Sequence, residues 1–349
     1  MKKLIFVAII LISATSLFAQ KNYLEESQKE YEERMQWFTD AKYGMFIHFG
    51  LYSQKGGEWE GEVYKQYAEW LQANADIPAQ VYAMLTSTFN PKDFDAEFIA
   101  RTAKDAGMKY IVITSKHHEG FCLWDSKYTN YDVASTPFKG RDILAELSTA
   151  CKKYGLKFCT YYSIIDWHHP SQERNMDGDD RWGHWGNIRM KSNRKAEYIT
   201  YMKNQIKELI ENYDTEMLWF DGDWVYWWDI ASGEDLYQYI RELKPSILIN
   251  NRVAKRDVFK KDFGTPEQEH PDESLGWEWE ACYTMNHSWG FKKNDHDWKN
   301  ARTVYDKLQD INGKGGNFLL NIGPDGDGNV PEESVKILLE VGEMIKSEK

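Results

Sequence analysis

The chain is short of cysteine, proline and positive charge, and each shortage removes a class of protein. Four cysteines in 349 residues, Cys122, Cys151, Cys159 and Cys282, are too few and too irregularly spaced for a disulfide scaffold or a cysteine metal site. They stand in apolar surroundings and read as reduced core residues, with one disulfide as the alternative. Nine prolines, nowhere clustered, leave no stiff linker between modules. Repeats and low-complexity tracts are also lacking, so one domain over residues 20–349 is the simplest organisation. Lys and Arg number 43 against 55 Asp and Glu, a net charge of −12 with no basic cluster. Such a surface repels nucleic acid and anionic lipid, which leaves neutral partners.

Long apolar runs are lacking too, apart from one. Lys2 and Lys3 precede an apolar stretch from Leu4 to Phe18, and Ala19-Gln20 offers a small-residue cleavage point. Residues 1–19 therefore read as a secretory signal peptide, with export to the periplasm or the medium and no membrane attachment after cleavage. The stretch is short for a membrane span and is followed by the charged, helix-prone Lys21 to Arg34.

What the chain has in plenty is aromatic residues, 15 % of the total, including 15 Trp and 21 Tyr. Flat apolar faces with polar tips suit an open cleft for sugar rings, and the alternative is an aromatic core. Short apolar runs alternate with amphipathic stretches, the pattern of βα units around a mainly parallel sheet. Strands are predicted at Met45–Phe49, Tyr110–Ser115, Phe158–Tyr162, Met217–Phe220, Ile247–Asn250 and Phe318–Ile322. The clearest helix follows Asp142, with Ile143, Leu144, Leu147, Ala150 and Cys151 at helical spacing and Gly155 as its C-terminal cap. Others are predicted at 95–106, 197–213, 234–243, 301–311 and 332–345. The fold class is α/β, a (β/α)8-like TIM barrel, irregular in places.

In such a barrel polar residues at strand ends form the active face. His48 interrupts the first strand, His117 and His118 follow the second, Tyr161 and Tyr162 end the third, Asp221 ends the fourth and Arg252 follows the fifth. Asp221 closes the apolar run Met217-Leu-Trp-Phe, with Gly222 behind it. A carboxylate so placed serves chemistry or a tight hydrogen-bond network, or else opens a turn. Two cation-like signals are weak. The pairs His117-His118 and His168-His169 come without an HExxH or cysteine pattern, and neighbours in an extended chain face opposite ways. Asp325-Gly-Asp-Gly-Asn329 starts like a calcium loop, but Val330 and Lys336 occupy the positions that need glycine and glutamate. No metal and no cofactor are implied.

The segments Trp37-Phe-Thr-Asp-Ala-Lys-Tyr-Gly-Met-Phe-Ile-His48-Phe-Gly, Ser115-Lys-His-His-Glu-Gly-Phe121, Tyr161-Tyr-Ser163, Leu218-Trp-Phe-Asp-Gly222 and Asn317-Phe-Leu-Leu-Asn-Ile-Gly-Pro324 resemble those of the α-L-fucosidases of glycoside hydrolase family 29. The likeness runs from about Tyr31 to Lys346. It implies retaining hydrolysis of terminal α-L-fucosyl residues from a fucosylated oligosaccharide or glycoconjugate, by double displacement. Asp221 matches the nucleophile, with Asp223 as its rival. Glu280, in Trp277-Glu-Trp-Glu280, matches a tryptophan-preceded acid/base, with Glu278 and Glu267 as alternatives. His48, His117, His118, Tyr162 and Arg252 match residues that bind fucose hydroxyls or the nucleophile, and Trp219 and Glu58-Trp59 match pocket-lining positions. Trp124 is either a further wall or core.

Many members of that family carry a β-sandwich after the barrel, and none is expected here. The Asn175–Asn187 stretch, with Asp177, Asp179, Trp182, His184 and Trp185, is a candidate to build the aglycone side instead, the alternative being a mobile loop. The competing functions are a related exo-glycosidase acting on galactosides and a catalytically dead fucose-binding protein.

Overall fold

The computed structural model describes residues 21–177 and 183–347. The stretch read as a signal peptide, together with Asp179 and Trp182, lies outside the described residues. Seven strands form one sheet: β1 (Tyr43–Ile47), β2 (Tyr110–Lys116), β3 (Lys157–Ser163), β4 (Met217–Asp221), β5 (Leu248–Ile249), β6 (Glu280–Tyr283) and β7 (Asn317–Ile322). Their order is β6-β7-β1-β2-β3-β4-β5, and every pairing is parallel.

Parallel neighbours need crossovers, and helices supply them. In chain order the long helices are α1 (Gln28–Ala41), α2 (Ala96–Asp105), α3 (Ile143–Tyr154), α4 (Lys195–Tyr213), α5 (Ile230–Leu243), α6 (Ala301–Gly313) and α7 (Glu332–Ser347). The caps explain their limits. The Asp142 side chain accepts from the Ala145 N–H to start α3, and Gly155 ends it at φ 69°, the left-handed conformation that glycine adopts without steric cost.

The sheet curls into a barrel that is irregular where β5 and β6 should meet. Residues 263–267 lie between them and bridge Asn250 on one side and Trp279 and Cys282 on the other. Glu280 N–H donates to the Gly264 carbonyl at 2.9 Å and Asn251 N–H to the Phe263 carbonyl at 3.0 Å. Pro266 has no N–H to give, so this stretch cannot extend into a regular ladder strand. β6 has no counterpart among the predicted strands, because it opens on a carboxylate and is only four residues long. Among the described residues there is no β-sandwich, only two further two-stranded sheets.

Alternation along the strands sorts the side chains into two layers. Phe46, Tyr110, Val112, Tyr161, Trp219 and Leu319 face inward and fill the barrel, and Met35 and Phe38 of α1 join the same cluster. Tyr110 fills so much of it that a Cβ on Gly44 would meet its ring at 2.4 Å. The outward residues pack beneath the helices. The four cysteines are buried and unpaired.

Candidate active site

A cavity of about 420 Å³ opens at the C-terminal ends of the strands, within the size range of small-ligand sites. Asp221, the last residue of β4, is in its wall. Its Oδ1 accepts from Arg252 Nη1 at 2.8 Å and Arg256 Nη2 at 3.2 Å, and its Oδ2 from the Tyr161 hydroxyl at 3.3 Å. Burial alone would raise the carboxyl's pKa, but Arg252, Arg256 and His118 outweigh it and hold the group below the usual carboxylate range. Asp221 is therefore an ionised, partly desolvated carboxylate at the rim of an aromatic chamber. Asp223 points elsewhere: it is buried, accepts from Arg256 Nε at 2.9 Å, and so fixes the second guanidinium on Asp221.

The histidines are neutral acceptors. Asn321 Nδ2 donates to the Trp289 carbonyl, so its Oδ1 faces His48 Nδ1 at 2.7 Å and the proton belongs on that nitrogen. His48 Nε2 keeps a lone pair. Ser163 Oγ donates to the Ile165 carbonyl, which makes it the acceptor for His118 Nδ1 at 2.7 Å. His118 Nε2 then presents a lone pair 3.6 Å from Asp221 Oδ2, so the two are neighbours in need of a bridging proton rather than an ion pair. Burial lowers His48 to about 3 and His118 to about 4, and takes His117 well below its ordinary value. His117 Nδ1 is buried without a hydrogen-bond partner. Three imidazoles at the cavity wall suit a ligand rich in hydroxyl groups.

Among the proposed acids the structure separates cleft from core. Glu267 lines the cavity, and its Oε2 accepts from Arg252 Nη2 at 3.0 Å. Glu280 does not line it. It is 0 % exposed inside the barrel, where Trp219 Nε1 donates to one oxygen at 3.0 Å and the Tyr110 hydroxyl to the other. The Trp219 ring, which does line the cavity, stands between Glu280 and solvent, so the expectation for Glu280 as acid/base is corrected. Glu278 is on the outer side of the barrel, hydrogen-bonded to the Tyr31 hydroxyl.

Three further expectations shift by one residue or one motif. Tyr161, not Tyr162, faces the cleft. Tyr162 points to the helical layer, where its hydroxyl donates to Gln205 Oε1 at 2.7 Å. The chain contains Glu-Trp three times, at Glu58, Glu69 and Glu278, and the pair in the cavity wall is Glu69-Trp70. Glu58 is on a small hairpin, held by Lys293 and Asn294, and Trp59 packs near Tyr82 with ring centroids 6.5 Å apart. Glu69 is 1 % exposed and accepts from Gly290 N–H at 2.8 Å, while its Oε1 is buried without a partner. Burial raises its pKa to about 7. Trp124 is core, its Nε1 donating to Glu208 at 3.0 Å. His117, Trp219 and Arg252 line the cavity.

The wall beside His118 is a set of tryptophans. Trp70, Trp167 and Trp224 surround the His118 imidazole at centroid distances of 5.1, 5.6 and 5.5 Å. Trp167 packs on Trp185, and Trp224 Nε1 donates to the Gly186 carbonyl at 2.9 Å. The described part of the Asn175–Asn187 stretch thus backs the cleft wall. Trp224, Arg256 and Trp289 also line the cavity and were not singled out in the sequence.

A family model described as α-L-fucosidase matches residues 10–349. Among curated proteins, an α-L-fucosidase of Dictyostelium discoideum is 30 % identical over 333 residues, covering 88 % of this chain and 68 % of that one. Among solved structures, an α-L-fucosidase of family 29 from Bacteroides thetaiotaomicron is 36 % identical with a TM-score of 0.81, covering 90 % of this chain and 73 % of its own. The enzyme from that organism has also been trapped as a covalent intermediate with 2-fluoro-fucosyl fluoride. An α-L-fucosidase from Lactobacillus casei, solved with α-L-fucose product, is 38 % identical with a TM-score of 0.81, covering 90 % of this chain and 99 % of its own.

Proposed function

Because the chain belongs to the α-L-fucosidase family, we propose that Asp221 is the nucleophile and Glu267 the acid/base with which it hydrolyses terminal α-L-fucosyl residues. The activity is that of a retaining α-L-fucosidase, acting by double displacement on fucosylated glycans. Neither a galactosidase nor a catalytically dead binding protein finds support among the relatives.

In the first step a carboxylate oxygen of Asp221 bonds to the anomeric carbon while the glycosidic C–O bond breaks. Glu267 gives its proton to the departing oxygen. In the second step Glu267 takes a proton from water, whose oxygen attacks the anomeric carbon and releases Asp221. Two inversions give net retention.

One observation carries the assignment: Arg252 bonds both carboxylates, and among the described residues no other two carboxylates lining the cavity share a guanidinium. Retaining enzymes hold their carboxyl groups about 5 to 5.5 Å apart, close enough for one guanidinium to span. Sugar binding follows from the wall. Neutral His48 and His118 accept hydroxyl protons, Tyr161 and Glu69 add further polar contacts, and Phe46, Trp219 and Trp289 offer apolar faces for a methyl group. Digestion of the protein after reaction with a 2-fluoro-fucosyl fluoride, followed by peptide mapping, should place the label on Asp221. A label on any other residue refutes the nucleophile assignment.

Export is proposed on the N-terminal sequence alone. N-terminal sequencing of protein secreted by its host should begin at or near Gln20.

A further inference from the structure

We propose that Glu280 is a positioning residue that acts through Trp219 to set the tilt of Arg252 between the two carboxylates of the cleft. The inference rests on the reading above in which Asp221 and Glu267 are those two carboxylates.

An acid in the interior of a barrel is unusual, since such interiors are filled by bulky apolar side chains. Glu280 is 0 % exposed, and among the described residues no cation bonds to it. Its two oxygens are instead taken up one each by neutral donors, the Tyr110 hydroxyl and the Trp219 indole N–H, the latter at 3.0 Å. Burying an acid costs free energy unless its hydrogen bonds are made, and here the hydrogen bonds tie it to a ring of the cleft wall.

Trp219 is two residues before Asp221 on β4, so both side chains point to the same face of the strand. The Arg252 guanidinium lies over the Trp219 ring, 4.6 Å from its centroid. Its edges are already fixed: Nε donates to Thr265 Oγ1 at 2.8 Å and Nη2 to the Thr265 carbonyl at 2.9 Å. Edge contacts hold a planar fork in place but let it tip about that edge, and the indole face stops the tipping. An indole has one donor. Fixing that donor fixes the ring, and Glu280 is what it binds.

The relation is a chain in which each member touches the next, from Tyr110 through Glu280 and Trp219 to Arg252, and only the last touches the reacting carboxylates. Glu280 is therefore remote from substrate but coupled to the catalytic pair.

The test is a double-variant cycle with E280Q, E280L, W219F and E280L combined with W219F, each assayed on an activated aryl α-L-fucoside and on a fucosyl disaccharide. E280Q keeps an acceptor for the indole and should stay within about 3-fold of the parent in kcat/KM. E280L should lose about 10-fold or more, equally on both substrates, and azide should not restore it. The combined variant should be no worse than W219F alone, because both losses pass through one ring. Losses that multiply would overturn the positioning role and leave the acid/base assignment standing. A loss in E280Q much larger on the disaccharide than on the aryl fucoside, with azide speeding aryl fucoside turnover and giving the retained α-L-fucosyl azide, would make Glu280 the acid/base, overturning both. If E280L does not fold, the Trp219 indole proton resonance in E280Q, identified by its absence in W219F, decides. A hydrogen-bonded downfield position supports the proposal, and a solvent-exchanging one overturns it.

Discussion

Asp221 and Glu267 share one guanidinium. Arg252 donates from Nη1 to the first at 2.8 Å and from Nη2 to the second at 3.0 Å, while its Nε is fixed by Thr265. Two carboxylates on adjacent nitrogens of one rigid fork cannot move independently. The cation offsets their repulsion, and the fork sets their spacing. Asp223 extends the arrangement outward, since it clamps Arg256, whose Nη2 reaches the same oxygen of Asp221.

Azide should tell the two carboxylates apart. Replacing Asp221 by glycine removes the nucleophile and should cut turnover at least about 10³-fold. Added azide then attacks the substrate directly and yields the inverted β-L-fucosyl azide. Glu267→Ala still forms the glycosyl-enzyme, so azide should yield the retained α product. Proton NMR of the anomeric signal reads either outcome, and the opposite pairing of product and variant would exchange the roles.

Leaving-group dependence provides an independent check on the acid. Proton donation matters most for a poor leaving group, so Glu267→Ala should lose about 10²- to 10⁴-fold on a fucosyl disaccharide and far less on a 2,4-dinitrophenyl fucoside. Equal losses on both substrates would remove Glu267 from the acid role.

Arg256 should govern the acid limb of the pH profile. Burial pushes the Asp221 carboxyl up, and Arg252, Arg256 and His118 together bring it below its ordinary value. Removing one guanidinium with Arg256→Gln weakens the opposing side, so the carboxyl's pKa rises. The acid limb of kcat/KM should therefore move to higher pH, with the alkaline limb less affected. A limb that stays in place would mean that another group sets it.

Two of the three Glu-Trp pairs, Glu58-Trp59 and Glu69-Trp70, make a matched comparison. Glu69 lines the cavity with an unpartnered Oε1, whereas Glu58 holds Lys293 and Asn294 on an exposed hairpin. Glu69→Gln should lower kcat/KM about 10-fold or more, and Glu58→Gln should change it less than about 2-fold. A larger effect at Glu58 would place the hairpin over the substrate.

This comparison also shows where the sequence stops being informative. Strand periodicity and helix caps made most of the barrel legible: Asp142 and Gly155 bound α3 as predicted, and Asp221 ends β4. The site was legible wherever a residue type stands alone at a strand end, as with His48, Asp221 and Arg252. It failed where two equivalent candidates lie close in the chain. Tyr161 and Tyr162 differ only in the face to which strand alternation sends them, and the strand must be registered before that face is known. Glu58-Trp59 and Glu69-Trp70 are the same dipeptide, distinguished only by the turn that buries the second. Glu280 misled because tryptophan neighbours suggest a desolvated acid. It is desolvated, but by the barrel interior rather than the cleft.

Burial of Glu280 should be visible in stability. Desolvation raises its pKa to about 7 from an ordinary 4.5. The folded state therefore holds this proton more tightly than the unfolded chain does. That contribution is complete below about pH 4.5 and is lost as pH rises through about 7, a change on the order of 3 kcal/mol. Glu69 and Glu119, each raised to about 7 by burial, act in the same sense. The buried neutral histidines act oppositely: their lowered pKa values give stability that is present above about 6.5 and lost as pH falls through about 4 for His118 and 3 for His48. The absolute profile mixes these terms, so the difference between the parent and Glu280→Gln is the useful quantity. Glutamine cannot ionise, and urea midpoints for the two proteins should diverge in favour of the variant between about pH 4.5 and 7.5, then run parallel. Midpoints that stay parallel throughout would show that Glu280 keeps an ordinary pKa, and hence that the barrel interior does not desolvate it.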